Sequence, residues 1–303
     1  MHAWKAIQTT LEIIENRLDE DIPIEELAEA ASLSLFYYQR LFARLVKKPV
    51  RGYIKLRRLA GASDALKNSK RRITDIAYEY GFGSYEVFAR AFKDAYGITP
   101  TEYRESDIRL TNFHKPNLLL NYTMVELGVP LICDGLVLEI NRRMLDGPVR
   151  FMGIQGFVPI DGHFPIGEVT GIDNFGDVWQ RFSDVKNKIP GTPGGRTIGV
   201  AYHGDAPEGC FPYFVGAEGE PDTTDENFLT WTLPAAEYMV TGFEAENFEE
   251  LMATALNKAI KYGHIWEKNY GLKQGNFGAE IYYSHTFTDP DAAYMEMWAQ
   301  WIE

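Results

Sequence analysis

The sequence holds little of what most often carries chemistry. Cysteine occurs only as Cys133 and Cys210. They are far apart and lack metal-type spacing, which excludes a disulfide framework and a thiolate metal site and fits a cytoplasmic chain with reduced thiols. The six histidines, at positions 2, 114, 163, 203, 264 and 285, form no ligand spacing, and no His–Glu pair falls on one helix turn. No G-x-G-x-x-G or phosphate loop occurs. Pro193-Gly194-Gly195-Arg196 reads as a turn, with an anion cradle as the other reading. No apolar run reaches about 18 residues, so no membrane span is expected. Met1-His2-Ala3-Trp4-Lys5 lacks the apolar core of a signal peptide. Neither a metal nor a cofactor is expected.

What the chain does have is apolar material and unevenly placed charge. Hydrophobic residues make up 45% and aromatics 14% of 303 residues, enough for two folded domains. The net charge of −13, taken whole, argues against a nucleic-acid partner. Its distribution argues otherwise. Residues 1–108 hold 17 Lys/Arg against 16 Asp/Glu, and residues 109–303 hold 13 against 27. The stretch 40–72 holds 12 basic residues and one acid, Asp64. A basic segment ahead of an acidic half is the pattern of a DNA-binding module joined to a different domain.

One pattern occurs twice within residues 24–104. Leu27-Ala28, Ser34, Tyr38-Gln39-Arg40-Leu41-Phe42 and Pro49 are echoed by Ile76-Ala77, Ser84, Phe88-Ala89-Arg90-Ala91-Phe92 and Pro100. Ala28 and Ala77 are 49 apart, and Arg40 and Arg90 are 50 apart. A duplicated helix-turn-helix is expected, preceded by an amphipathic helix over residues 3–18. The first long helix should run over Leu35–Lys47, a connector over Val50–Asn68, and the second long helix over Tyr85–Tyr96, with Ser34 and Ser84 as caps. On the first long helix Tyr38, Leu41, Phe42 and Leu45 face a core, while Phe36, Gln39, Arg40 and Arg44 face out. Arg can bind guanine and Gln adenine in two places each, and Phe can meet a thymine methyl. Arg51, Lys55 and Arg57 of the connector are read as phosphate contacts. On the second long helix Val87 or Phe88, Phe92 and Ala95 face in, and Tyr85, Glu86, Ala89 and Arg90 face out. Its near-neutral charge predicts the weaker hold on DNA.

These residues resemble the AraC/XylS family of bacterial transcriptional regulators. The resemblance rests on Ile76-Ala77, Gly81-Phe82, Phe88, Phe92-Lys93, Gly97, Pro100 and Tyr103-Arg104 and covers residues 1–108. It implies two helix-turn-helix motifs in successive major grooves of double-stranded promoter DNA, with RNA polymerase as a further partner. By position, Phe36, Gln39 and Arg40 resemble the readers of the first motif, and Tyr85, Glu86, Ala89 and Arg90 those of the second. Glu86 departs from the neutral polar residues of the pattern. It either accepts from a cytosine amino group or repels the backbone.

Residues 105–116 read as a linker, with domain bounds at 1–108, 109–116 and 117–303. The last part reads as α+β. Strands are expected at Leu118–Leu127, Leu136–Ile140, Val149–Pro159, Ile198–His203, Tyr213–Glu218, Tyr238–Glu244, Glu280–Ser284 and Tyr294–Ile302, and helices at Gly176–Ile189 and Phe248–Asn269. That order repeats a strand-helix-strand-strand unit. Tyr213–Glu218, Leu233–Tyr238, Trp266 with Tyr270-Gly271, and Ala279–Tyr282 resemble the GyrI-like effector-binding domain of Rob-type regulators. The resemblance implies two units around an aromatic cleft holding one buried glutamate, by position Glu280, with Glu296 as the second candidate. Phe151, Trp179, Phe214, Trp231, Tyr238, Trp266, Tyr282 and Trp298 are candidate lining residues. A carboxylate among rings suits a lipophilic or cationic small molecule.

The expected function is thus that of a sequence-specific transcriptional regulator, not an enzyme, whose C-terminal domain senses a small effector. The alternative is a hydrolase of small lipophilic compounds using Glu280 with Tyr282 or Tyr238.

Overall fold

Caps set the helix boundaries in the first hundred residues. The computed structural model describes residues 3–133, 135–160, 170–190, 195–219, 225–283 and 293–303. His2, His163, His285, Ser284, Pro193 and Gly194 therefore lie outside the described residues. Helix α1 (Ala3–Glu15) is followed by α2 (Ile24–Ala30), which opens after Pro23. In α3 (Leu35–Val46) the Ser34 hydroxyl accepts from the Tyr37 N–H at 3.4 Å. Then come α4 (Val50–Asn68) and α5 (Ile73–Glu79). In α6 (Tyr85–Tyr96) Ser84 accepts from Val87 N–H at 3.3 Å. A capping box between Thr99 and Glu102 opens α7 (Pro100–Glu105).

The duplication extends to backbone geometry. Ser32 and Gly81 both stand in the left-handed region, at φ 57° and 72°. The next residue in each copy returns its N–H to the short helix, Leu33 to the Ala28 carbonyl and Phe82 to that of Ala77, both at 2.9 Å. Lys47 and Gly97 are the left-handed residues that end the two longer helices. Helix α4 serves two cores. Its Tyr53 packs with Ile7, Leu11, Leu27, Tyr38 and Phe42, and its Leu59 and Leu66 with Ile76, Phe88, Phe92 and Tyr103.

The segment expected to be a linker is packed instead. Strand β1 (Leu110–Thr111) pairs antiparallel with Gly171–Ile172, which is β5 in chain order. Phe113 is buried, edge-on to Tyr53 at 5.9 Å. Leu118, expected to open a strand, opens helix α8 (Leu118–Tyr122). Asn117 explains the difference, because its side chain accepts from the Leu120 N–H at 3.2 Å and so starts a helical turn. The first compact unit runs to residue 122 and takes in β5.

The second unit is built on one antiparallel sheet of nine strands. In chain order they are β2 (Leu131–Cys133), β3 (Leu136–Leu145), β4 (Val149–Pro159), β6 (Thr197–Tyr202), β7 (Cys210–Glu218), β8 (Leu229–Leu233), β9 (Ala236–Glu244), β10 (Phe277–Tyr282) and β11 (Tyr294–Gln300). Their order across the sheet is β2-β3-β9-β11-β10-β6-β7-β4-β8. Helix α9 (Asn174–Val185) lies between β4 and β6 in the chain. Helix α10 (Phe248–Glu250), a π turn (Leu251–Ala255) and α11 (Leu256–Tyr270) lie between β9 and β10. Strand-helix-strand-strand thus runs twice along the chain. The strand before each repeat pairs with the other repeat: β3 precedes β4 but pairs with β9, and β8 precedes β9 but pairs with β4. Helix α9 packs on β4 and β7, and α11 on β9. Val178 of α9 meets Gly156, and Gly263 of α11 meets Met239. Gly156, Tyr213, Ala201, Gly278, Ala299 and Met239 are consecutive cross-strand partners, so both helices cover the same face of the sheet.

Candidate functional site

Amphipathic periodicity places the α3 side chains as expected. Tyr38, Leu41 and Phe42 are buried, and Phe36, Gln39, Arg40 and Arg44 are exposed, Phe36 at 76%. Arg51 and Lys55 are exposed on the first turns of α4. On α6 Phe88 takes the core position and Val87 is exposed, Glu86 and Arg90 are exposed, and Tyr85 is half-buried. Hydrogen bonds from Ser84 and from its own backbone N–H hold the Glu86 carboxyl below the usual range. An ionised acid in the first turn complements the α6 N-terminus.

Arg57 is a correction. It points inward, bound to both Glu15 oxygens (2.9–3.1 Å) and to the Phe113 carbonyl at 2.7 Å. Tyr53 donates to the same Glu15. Burial and the adjacent Glu15 push the Tyr53 hydroxyl pKa well up. The surface basic set is therefore Arg40, Arg44, Arg51 and Lys55, without Arg57.

In the second unit, strand alternation divides the expected cleft residues between opposite faces. Glu280 and Tyr282 lie on the helix-covered face, where Trp179 of α9 reaches them. Its indole N–H donates to the Tyr213 hydroxyl at 3.0 Å, Tyr213 donates to Glu280 Oε2 at 3.0 Å, and Tyr282 donates to the same oxygen at 2.7 Å. The Trp179 and Tyr282 rings meet edge-on at 4.8 Å. Burial, then the Glu280 charge, raises the Tyr282 hydroxyl pKa well above its ordinary value. Gly199 lies under this cluster: a Cβ there would stand 2.3 Å from the Tyr213 hydroxyl and 3.0 Å from Glu280 Oε2. Beside it run Ala201, Gly278 and Ala299, cross-strand neighbours with small or no side chains. Glu280 is half-buried while Tyr213 and Tyr282 are buried.

Phe214, Tyr238, Trp298 and Glu296, with Phe151 and Trp231, belong to the other face, because the rows alternate across the paired strands. Phe151, Phe214, Tyr238 and Trp298 are core. Tyr238 donates to the Pro234 carbonyl at 2.7 Å, which takes it out of any pairing with Glu280. Glu296 is enclosed by donors: both Arg143 amino groups at 3.0 Å, Tyr283 and Trp298 at 2.8 Å, and Tyr294 at 2.7 Å. Burial would raise its pKa, but these donors outweigh burial and hold it below the usual carboxylate range. Its charge is already balanced internally. Trp266 of α11 is also core, stacked on Tyr270 at 3.7 Å with its N–H on the Val125 carbonyl at 3.0 Å.

The helix-turn-helix domain family matches residues 27–106. The uncharacterized HTH-type transcriptional regulator YbfP of Bacillus subtilis is 42% identical over 112 residues, 37% of this chain and 38% of YbfP. The regulatory protein SoxS of Salmonella typhimurium is 35% identical over 104 residues, 34% of this chain and 97% of SoxS. The chain belongs to the AraC/XylS family of transcriptional regulators. The right origin-binding protein of Escherichia coli is 37% identical over 93 residues, 31% of this chain and 32% of that protein. The chain thus spans well under half of YbfP and of the right origin-binding protein, and nearly all of SoxS.

In this AraC/XylS chain several residues acquire roles that helical and strand patterns do not reveal. Arg58 donates to the carbonyls of Leu18 (2.7 Å), Glu20 (2.5 Å) and Gly81 (3.2 Å), tying the turn before α6 to the end of the α1 region. Tyr213 and Gly199 complete the Glu280 cluster. Arg143 is the counter-ion of Glu296. Tyr213 had a visible signal, since it stands beside Phe214 in the stretch already singled out. Among the described residues no group of three or more His, Cys, Asp or Glu is placed to hold a metal ion, and no helix is long and apolar enough to cross a membrane.

Proposed function

We propose that α2–α3 and α5–α6 are two helix-turn-helix motifs that read successive major grooves of promoter DNA, and that a small lipophilic cation is sensed at Glu280 in a GyrI-like second domain. The observation that supports the DNA reading best is the exposed Phe36–Gln39–Arg40–Arg44 face, continued by Arg51 and Lys55. Side chains that pair bidentately with bases lie next to ones that meet phosphates. The effector reading is supported by a half-buried carboxylate held by two phenol donors beside Trp179 and the low Ala201–Gly278–Ala299 row. A cation placed there would meet a carboxylate beside aromatic rings.

DNase footprinting with the full chain tests the reading. Arg40→Ala should cost about 1–3 kcal/mol on the best site and relax choice at one base pair. An equal loss on every sequence would make Arg40 a phosphate contact. An effector active through Glu280 should alter the footprint of the native chain and leave that of Glu280→Gln unchanged.

A second reading has one observation behind it. The Tyr282 hydroxyl lies 2.7 Å from Glu280, an acid–base pair that would suit a hydrolase of small lipophilic compounds. Product formation lost in Glu280→Gln would favour it over stoichiometric binding.

A further inference from the structure

Glu267 sits in the last turn of α11, on the flank of the face that buries Tyr262, Gly263 and Trp266. It is 4% exposed. Among the described residues its carboxylate has neither a hydrogen bond nor an ion pair, and burial is the sole influence on its ionisation, raising its pKa to about 7. Its oxygens are not among the fully enclosed polar atoms without a partner, so the carboxyl meets the outside only through the space it lines, and desolvation there favours its neutral form. Glu267 lines a cavity of about 660 Å³ along α11 and the turn that follows it. Ile260, Ile265 and Leu272 supply its apolar wall, and Lys261, His264 and Lys268 are the titratable groups beside Glu267. Gly271, which ends α11 in the left-handed region, belongs to the same wall, and the cap closes on itself there, with Gly271 N–H on the Lys268 carbonyl and Leu272 N–H on that of Glu267.

We propose that this cavity is a second small-molecule site, separate from Glu280, and that it takes a primary or secondary monoamine carried on an apolar body. The amine N–H supplies the donor that Glu267 lacks, in a charge-assisted bond. The apolar body covers Ile260, Ile265 and Leu272. Lys268 on the same wall selects against a second positive charge, so a diamine binds less well than a monoamine. Binding ionises Glu267 and therefore releases a proton below neutral pH.

The test uses the full chain carrying Glu280→Gln, so that binding at the carboxylate of the proposed effector site does not contribute. The probe is 4-phenylbutylamine, titrated calorimetrically at pH 6 in two buffers of different ionisation enthalpy. We expect one-to-one binding with release of nearly one proton. Adding Glu267→Gln should weaken it by roughly tenfold or more and abolish the proton release, while any His264 contribution persists. Ile260→Phe, which narrows the apolar wall, should also weaken it. The neutral 4-phenylbutan-1-ol and 1,8-diaminooctane should bind at least roughly tenfold less well. No binding in the Glu280→Gln chain, equal binding after Glu267→Gln, or binding without proton release would each overturn the site. None of these outcomes bears on whether Glu280 responds to an effector, which the footprint reads separately.

Discussion

Arg40 and Arg57 come from one basic run and do opposite jobs. Helical spacing gave the direction of Arg40 correctly, because its helix has one apolar stripe and everything else faces out. Spacing could not place Arg57. Its partners, Glu15 and the Phe113 carbonyl, are 42 and 56 residues away in sequence, and the pattern of α4 carries no trace of them. Removing one partner from a largely enclosed ion pair strands the other charge. Arg57→Met should therefore lower the stability of the first unit by about 2–3 kcal/mol in urea unfolding, while the folded fraction keeps its DNA affinity. A loss of affinity at unchanged stability would return Arg57 to the DNA surface. Glu267 was equally illegible, since an acid within a mixed helix reads as solvated. Its pKa is about 7 in the fold against 4.5 unperturbed. The raised value means that the protonated form suits the fold. The contribution is fully present below pH 4.5 and is lost as pH rises through 7. Glu267→Gln should thus match the native chain near pH 4 and exceed it at pH 8, by roughly 3 kcal/mol at most. Parallel stability–pH curves would show that Glu267 is solvated.

At the level of elements, the two helix pairs were legible because duplication reinforces every signal: the caps Ser34 and Ser84, the alanines 28 and 77, the aromatic stripes. The sheet was legible less evenly. Val149–Pro159 has the bounds of β4, since a long apolar run between turn residues leaves little choice. Strands β2 and β8, at the sheet edges, were missed, because short edge strands with exposed residues such as Ile132 and Leu229 carry weak alternation. Comparing the two copies gives a prediction at this scale. The first copy puts Ser32 where the second puts Gly81, and both have positive φ. An L-residue pays about 1 kcal/mol there that glycine does not. Ser32→Gly should stabilise the first unit by roughly 0.5–1 kcal/mol. Gly81→Ala should destabilise it by more than that penalty alone, because its Cβ would stand 2.7 Å from the Arg58 guanidinium. Equal and small effects at both positions would show that the turns relax freely.

At the scale of the whole molecule, the sheet explains why the expected cleft residues divide between two faces. Phe151, Phe214, Tyr238, Glu280, Tyr282, Glu296 and Trp298 are on the predicted strands, but which face each takes depends on register, and register is fixed by the exchanged pairing of β3 with β9 and β8 with β4. Sequence alternation separates two sets without saying which set meets the helices. The boundary between units raises the same problem. Residues 109–117 are not apolar enough to announce a core element, and Leu118–Leu127 reads as a strand of the second domain, yet Phe113, Leu118 and Leu120 are buried in the first unit. Asn112 accepts from Tyr96 at 2.7 Å and donates to Ser63 at 3.1 Å, so the segment is anchored to α4 and α6 as well as to the α1 core. Full burial of each large apolar side chain is worth about 1.5–3 kcal/mol as an upper estimate. A chain ending at 108 should therefore be less stable than one ending at 122 by at least about 3 kcal/mol in urea unfolding. It should also leave the Arg57 guanidinium one acceptor short, so that Arg57→Met costs less in the shorter chain than in the longer one. Equal midpoints for the two chains, or an Arg57→Met effect independent of length, would mean that residues 109–122 are a passive tether.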